Sequence, residues 1–338
     1  MKTGYPLVDA IGITSTIPIE IPLSAGRKIV DLNNRFILSE NPGELIKIAE
    51  AQGFPRNCCA WIKGIYGLVK SGKIGKIIFV TGGDCSNTHA LLETLLPDLT
   101  EVFTFSYPYP ADREQIKREM LRFCEAFGTS FEAAEEVGNK LAGIRTDLRK
   151  LDLMTWEEGR VTGGENHLWL VSSTDFDGDY DCFRLRLKEF LSSAEARKPR
   201  KTGPKVGVLG VPPIFSDLHD VVESYGARVV YNEIPRQFAM IGEDTDLVSR
   251  YTDFTYPYGV WPRTVDMRAE IEKRKIDGII HYTQSFCHRQ IHDIVIRKEV
   301  GIPVLTIDGE IPGPLDQRTR LRIESFCEIL TDRIVRGK

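Results

Sequence analysis

Seven cysteines, running from Cys58 to Cys327, are the side chains of this sequence best placed to do chemistry. Cys85 follows the apolar run IIFVTGGD and opens a helical pattern, and Cys287 follows GIIHYTQSF and opens another. In open α/β sheets ligands bind at the carboxyl ends of strands, where the exposed N–H groups of a helix start favour a thiolate. Cys59 comes just after the turn-like FPRN, at the start of a helix expected over 58–71. One thiolate from the N-terminal region and one from each half are thus expected to meet in a cleft between two domains. An isolated cysteine is more often an inert core thiol; two at equivalent strand-to-helix junctions in both halves weigh against that reading. Cys124, Cys182 and Cys327 stand among apolar residues at helical spacing and are expected in helical cores. Cys58 is undecided, because neighbours at a helix start point about 100° apart and do not readily share one metal with Cys59.

Other signals are weaker. His288 and His292 form an i, i+4 pair of the kind that can hold zinc, but no HExxH or paired CxxC accompanies them. Thr283, Gln284, His288 and Arg289 bracket Cys287 and are expected to shape its surroundings. TGGDCSN is not a dinucleotide fingerprint, and VKSGKIGK lacks the GxxxxGK[ST] spacing, so no nucleotide is expected on this chain.

The elements that must position these residues read as α/β. In the second half the strands 205–211, 228–234, 277–283 and 302–308 alternate with helices at 214–225, 266–275, 288–299 and about 317–335. Alternation of apolar strands with helices argues for a doubly wound parallel sheet. The first half has a β-rich opening (TSTIPIEIPLSAGRKIVDL), then helices at 42–52 and 58–71. The strand 76–82, a helix at 86–96, the strand 101–107, a helix from near Asp112 and another over 131–154 follow. The basic, proline-containing RKPRKTGPK marks a boundary, giving domains 1–198 and 199–338, the first with a helical insertion. A length of 338 residues suits two domains of about 100–200 residues each.

Composition excludes whole classes of function. Forty-four basic and 48 acidic residues leave a net charge of −4, no electrostatic reason for a nucleic-acid or anionic-membrane partner. No stretch approaches the roughly 20 apolar residues that cross a bilayer, and MKTGYPLVDAIG does not read as a signal peptide. The expectation is a cytoplasmic protein whose odd number of cysteines are thiols or metal ligands rather than a disulfide scaffold.

Several segments resemble the 2-hydroxyacyl-CoA dehydratase family, which includes the benzoyl-CoA reductase subunits. IPIEIPLSAGRKIVDLNN resembles the family's Pro-Glu and Ala-Ala-Gly segment; CCAWIKGIYG resembles its Cys-Ser-Tyr segment, with Cys59 eight residues before Gly67; VTGGDCSNTHALLE resembles its strand–Cys–helix turn. DGIIHYTQSFCH, GIPVLTIDGE and RIESFCEIL resemble the family's C-terminal half in order and spacing. The resemblance implies two flavodoxin-like parallel-sheet domains with additional helices and a [4Fe–4S] cluster in the inter-domain cleft, held by Cys59, Cys85 and Cys287. It implies a dehydratase subunit that eliminates water from a 2-hydroxyacyl-CoA thioester by ketyl-radical chemistry. The electron would come from a separate ATP-hydrolysing iron–sulfur activator. Glu20, as a proton acceptor, and Ser24, as a hydrogen-bond donor to the thioester or leaving group, are the catalytic candidates. The chain is shorter than typical family subunits, which work as homodimers or as heterodimers with a homologous subunit. The cysteine surplus keeps an alternative open, a homodimeric protein with a six-cysteine double-cubane [8Fe–9S] cluster that reduces small molecules. A non-catalytic electron-transfer subunit paired with a catalytic homologue is a further alternative, as is zinc.

Overall fold

A computed structural model describes residues 9–72, 74–242 and 246–337. The chain folds into two compact units. The first comprises Met1–Thr146, Ser172–Leu185 and Met240–Gly259, and the second Asp147–Val171, Arg186–Ala239 and Val260–Lys338. The boundary expected at 198/199 falls inside the second unit's middle segment.

Each unit is built on a four-stranded, all-parallel sheet. In the first, β1 (Ala10–Ile13), β2 (Lys28–Asp31), β3 (Lys76–Gly82) and β4 (Glu101–Ser106) lie in the order β2-β1-β3-β4. In the second, β5 (Lys205–Leu209), β6 (Arg228–Asn232), β7 (Gly278–Gln284) and β8 (Val304–Gly309) repeat that order as β6-β5-β7-β8. The α/β class with two flavodoxin-like sheets is therefore what the structure has. Strands buried on both faces need continuous apolar runs, and Ile77, Ile78, Phe79 and Val80 of β3 and Ile279 and Ile280 of β7 supply them, each at most 1% exposed. Strand order reverses between β1 and β3, and again between β5 and β7. These are the switch points beside which open α/β sheets bind ligands at the carboxyl ends of the strands.

The opening segment is less β-rich than its Ile-Pro-Ile-Glu alternation suggests. Only β2 falls inside it, and Glu20–Ser24 is a short helix. Pro22 sits in that helix's first turn, where its missing N–H costs nothing, and Ile17, Ile19 and Ile21 are all buried. The helix expected at 214–225 is confined to Leu218–Ser224, and 288–299 divides into a 3-10 turn, His288–His292, and the helix Asp293–Glu299.

Cys124 and Cys327 are buried on the helices Arg113–Phe127 and Gln317–Val335, where burial pushes each thiol up to about 11. Cys182 corrects its expectation: it is exposed. The buried stripe of the helix Tyr180–Glu195 runs through Phe183, Leu187 and Leu191, and Cys182 stands about 100° off it.

Candidate functional site

Three thiols stand at the starts of helical segments. Cys59 is the residue immediately before the helix Ala60–Lys70; its carbonyl accepts from the Lys63 N–H at 3.1 Å, and the residue is 6% exposed. Lys63 is itself buried and ion-paired, its Nζ donating to Glu50 Oε1 at 2.8 Å and to the Arg56 carbonyl at 3.2 Å. Cys58, half-buried, has its thiol raised by burial, an effect the Lys63 ammonium opposes.

Cys85 follows the carboxyl end of β3, two residues before the helix Asn87–Leu95, and its carbonyl accepts from the Thr88 N–H at 2.9 Å. Cys287 follows the carboxyl end of β7 at the start of the 3-10 turn, and its carbonyl accepts from the Gln290 N–H at 3.1 Å. Both thiols thus occupy the same topological place, the end of the strand next to a switch point, as the sequence pattern predicts.

Around Cys287 the second unit is polar and cationic. A cavity of about 10 Å³, with room for at most one water, is lined by Gly210 and Val211 beyond β5, by Thr283 and Gln284 of β7, and by Cys287 and Arg289 beyond it. The Thr283 hydroxyl donates to the Ile307 carbonyl at 3.2 Å, and Gln284 accepts from the Tyr282 hydroxyl at 2.6 Å. These two side chains are held rather than loose. Arg263, also on the cavity wall, makes a buried two-pronged pair with Glu233 at 2.7 and 2.9 Å. His281 bonds Asp293 at 2.6 Å. Burial opposes ionisation of Asp293, but the hydrogen bonds from His281, Thr306 and Arg297 hold its carboxyl well below the usual range. Burial, together with Arg263 and Arg289, pushes the His292 imidazole down to about 4. His288 is exposed and Arg289 is buried.

In the first unit, Glu20 is wholly buried. Its Oε1 accepts from Arg145 at 2.7 Å and lies 3.4 Å from Arg250, and its Oε2 lies 2.8 Å from the Tyr251 hydroxyl. Burial favours the neutral acid, but the two guanidinium groups and the Tyr251 hydrogen bond outweigh it and hold the Glu20 pKa below its ordinary value. Ser24, half-buried, donates to the Ile21 carbonyl at 2.8 Å and lies 2.8 Å from the Thr129 hydroxyl. Nothing local in the sequence announces Arg145, Arg250 and Tyr251, which lie 125 to 231 positions from Glu20.

A family model of the 2-hydroxyglutaryl-CoA dehydratase D-component matches residues 14–330. This chain belongs to that family. No curated protein matches it. As a D-component family member it is of the 2-hydroxyacyl-CoA dehydratase type, a kind of component that works with other subunits. No helix among the described residues is long and apolar enough to cross a membrane. For the iron–sulfur cluster that the sequence resemblance implies, thiolates at helix starts are the right donor chemistry. Cys59 and Cys85 belong to the first unit and Cys287 to the second. Among the described residues no three His, Cys, Asp or Glu side chains are gathered as a metal site; the three thiols fit the group by chemical type.

Proposed function

We propose that this D-component family chain eliminates water from a 2-hydroxyacyl-CoA thioester in the cytoplasm, with Cys59, Cys85 and Cys287 as ligands of a [4Fe–4S] cluster. The observation that carries the reading is the repeated placement of a thiol, Cys85 beyond β3 and Cys287 beyond β7, at the same point of two like sheets in a chain of this family. When bound, the cluster supplies one-electron transfer, with the electron delivered by a separate ATP-hydrolysing activator. The partner subunit is a second copy or a homologue.

The chain's own residues hold the parts in place. The backbone at the start of a helical turn places each of Cys59, Cys85 and Cys287. Thr283 and Gln284, fixed by their hydrogen bonds, set the end of β7 from which the chain turns to Cys287. The buried ion pairs of Glu20 support a positioning role for it, since a carboxylate held ionised by two arginines is a poor proton acceptor. Ser24 is the more accessible of the two catalytic candidates and retains the hydrogen-bonding role. The burial of Cys124 and Cys327 in helical cores weighs against a six-cysteine cluster.

Anaerobic purification with iron and sulfide analysis, and electron paramagnetic resonance of the reduced protein, tests the proposal. The expectation is about four irons per chain, with iron lost in each of Cys59→Ala, Cys85→Ala and Cys287→Ala and retained in Cys182→Ala. About eight irons would replace the single cluster by a double cubane. A colourless reconstituted protein, with all the variants alike, would falsify the cluster reading.

A further inference from the structure

The second unit carries a basic cavity at the end of its sheet opposite Cys287. Its volume is about 130 Å³, and the amino end of the edge strand β6 forms its floor. Arg160, Arg197, Lys198, Arg200 and Arg228 line it, against the single carboxylate of Glu223. Three of the five cations have carboxylate partners: Arg160 with Glu158 at 3.2 Å, Arg197 with Glu165 at 2.7 Å and Arg200 with Glu223 at 2.9 Å. Arg228 and Lys198 form no salt bridge among the described residues.

Arg228 is the unusual one, because it is 6% exposed. A buried cation without a direct ion pair carries a desolvation cost that native structures ordinarily meet with one, and Glu223, already paired with Arg200, acts on Arg228 only through its field. Its Nη2 donates to the carbonyls of Thr155 and Trp156 at 3.0 and 3.5 Å, which caps the end of a helical segment. That uses one of its three nitrogens. Nε and Nη1 have no hydrogen-bond partner among the described residues and are not sealed from solvent. Burial and the neighbouring Arg200 pull the Arg228 pKa down, and Glu223 only partly offsets them.

The wall is also shaped for close approach. Gly159 has φ +71°, and a Cβ there would lie 2.1 Å from the Arg200 carbonyl and 3.0 Å from Arg228 Nη2. Any side chain at 159 would push apart the two arginines that face the cavity. The space holds about four waters, or one tetrahedral oxyanion with a water or two.

We propose that this cavity is a phosphate-binding site, with Arg228 as its buried anchor and Lys198 and Arg200 at its mouth. Planar guanidinium groups bind phosphate oxygens in forked geometry, and a phosphate would supply the direct anionic partner that Arg228 and Lys198 lack. The site is independent of the cluster ligands: it lies beyond the amino ends of strands whose carboxyl ends lead to Cys287. The phosphate is either inorganic phosphate free in solution or a monoester borne by a nucleotide, as at the 3′-phosphate end of coenzyme A.

Isothermal titration of the whole protein with inorganic phosphate and with adenosine 3′,5′-bisphosphate, at ionic strength matched with sodium chloride, tests this. Saturable binding of at least one of them, at one site per chain, is expected. Arg228→Gln should weaken it roughly ten- to a hundredfold, and Lys198→Glu, an exposed change that does not threaten folding, several-fold. Tighter binding of the bisphosphate assigns the nucleotide source, and equal binding assigns free phosphate. No saturable binding of either probe overturns the proposal, and so does binding unchanged in Lys198→Glu, whether or not Arg228→Gln folds. Because neither probe needs iron, failure here is separate from failure of the cluster reading.

Discussion

Asp175 stands with Asp31 and Asp177 among the buried residues of the first unit, and the three carboxylates crowd one another. Burial and the neighbouring Asp31 and Asp177 push the Asp175 carboxyl up to about 8, against the hydrogen bonds it accepts from the Asp31 and Asp177 N–H groups at 2.7 and 2.9 Å. A carboxyl whose folded pKa is raised binds its proton more tightly folded than unfolded. Its stability cost is therefore absent below the unfolded pKa, grows as pH rises from about 4 to about 8, and is constant above that. Asp175→Asn removes the titration and keeps an acceptor for one N–H. Denaturant unfolding at pH 5.5 and 8.5 should show the variant gaining on the wild type by about 1–3 kcal/mol over that interval. An equal difference at both pH values would place the proton elsewhere. The same scale divides the site into what could and could not be read from the sequence. The positions of Cys85 and Cys287 beyond a strand were legible because a thiol after an apolar run is a local pattern. The ionisation of Glu20 was not, since it depends on Arg145, Arg250 and Tyr251, brought to it only by folding.

At the scale of elements, the helix Ala60–Lys70 shows how a thiol is set in place. It carries two glycines, which weaken a helix by about 1 kcal/mol each relative to alanine. Both are required by close packing. A Cβ on Gly64 would lie 2.3 Å from the Phe36 ring, and one on Gly67 2.2 Å from the Leu45 carbonyl oxygen. The helix that starts after Cys59 is thereby pressed against the helix Pro42–Ala51 along its backbone. Gly67→Ala improves helix propensity yet forces a backbone apart, and overpacking costs about 1–3 kcal/mol. The expected net result is a lower melting temperature and faster modification of the 6%-exposed Cys59 thiol by a maleimide; a raised melting temperature would contradict the packing argument. Strands were the most legible elements, β3 agreeing residue for residue, because a buried parallel strand must be continuously apolar. The short helices Glu20–Ser24 and Leu247–Asp253 escaped for the opposite reason. Each is held by tertiary contacts, such as the Tyr251 hydroxyl near Glu20 and the Ile17 carbonyl, rather than by a periodic pattern long enough to see.

For the whole molecule, the order of segments carries the strongest consequence. The chain passes between its compact units five times, at 146/147, 171/172, 185/186, 239/240 and 259/260. Alternation of strands and helices records sheet order but not these returns, so a basic proline-containing stretch near 198 reads as a linker although it lies within the second unit. A fragment 199–338 contains all of β5–β8 and Cys287, but it lacks 147–171 and 186–198 of its own unit. Among the missing residues is Asp152, whose two oxygens accept from Arg274 at 3.0 and 2.6 Å. Arg274 is 1% exposed and lies over the Trp156 and Tyr231 rings. Asn166, which bonds the buried Asn232 at 2.8 Å, and the Thr155 carbonyl that caps Arg228 are missing as well. Arg274 keeps Glu270 at 2.5 Å in the fragment but loses its two-pronged partner; breaking a buried ion pair costs up to about 3–5 kcal/mol, a large share of the roughly 5–15 kcal/mol that holds a domain folded. The fragment 199–338 is thus expected to lack cooperative thermal unfolding and a dispersed amide spectrum, whereas 147–338, which restores these partners, is expected to regain both. A cooperatively folded 199–338 would mean that Asp152 and Asn166 contribute little, and that sheet order alone suffices to build the unit.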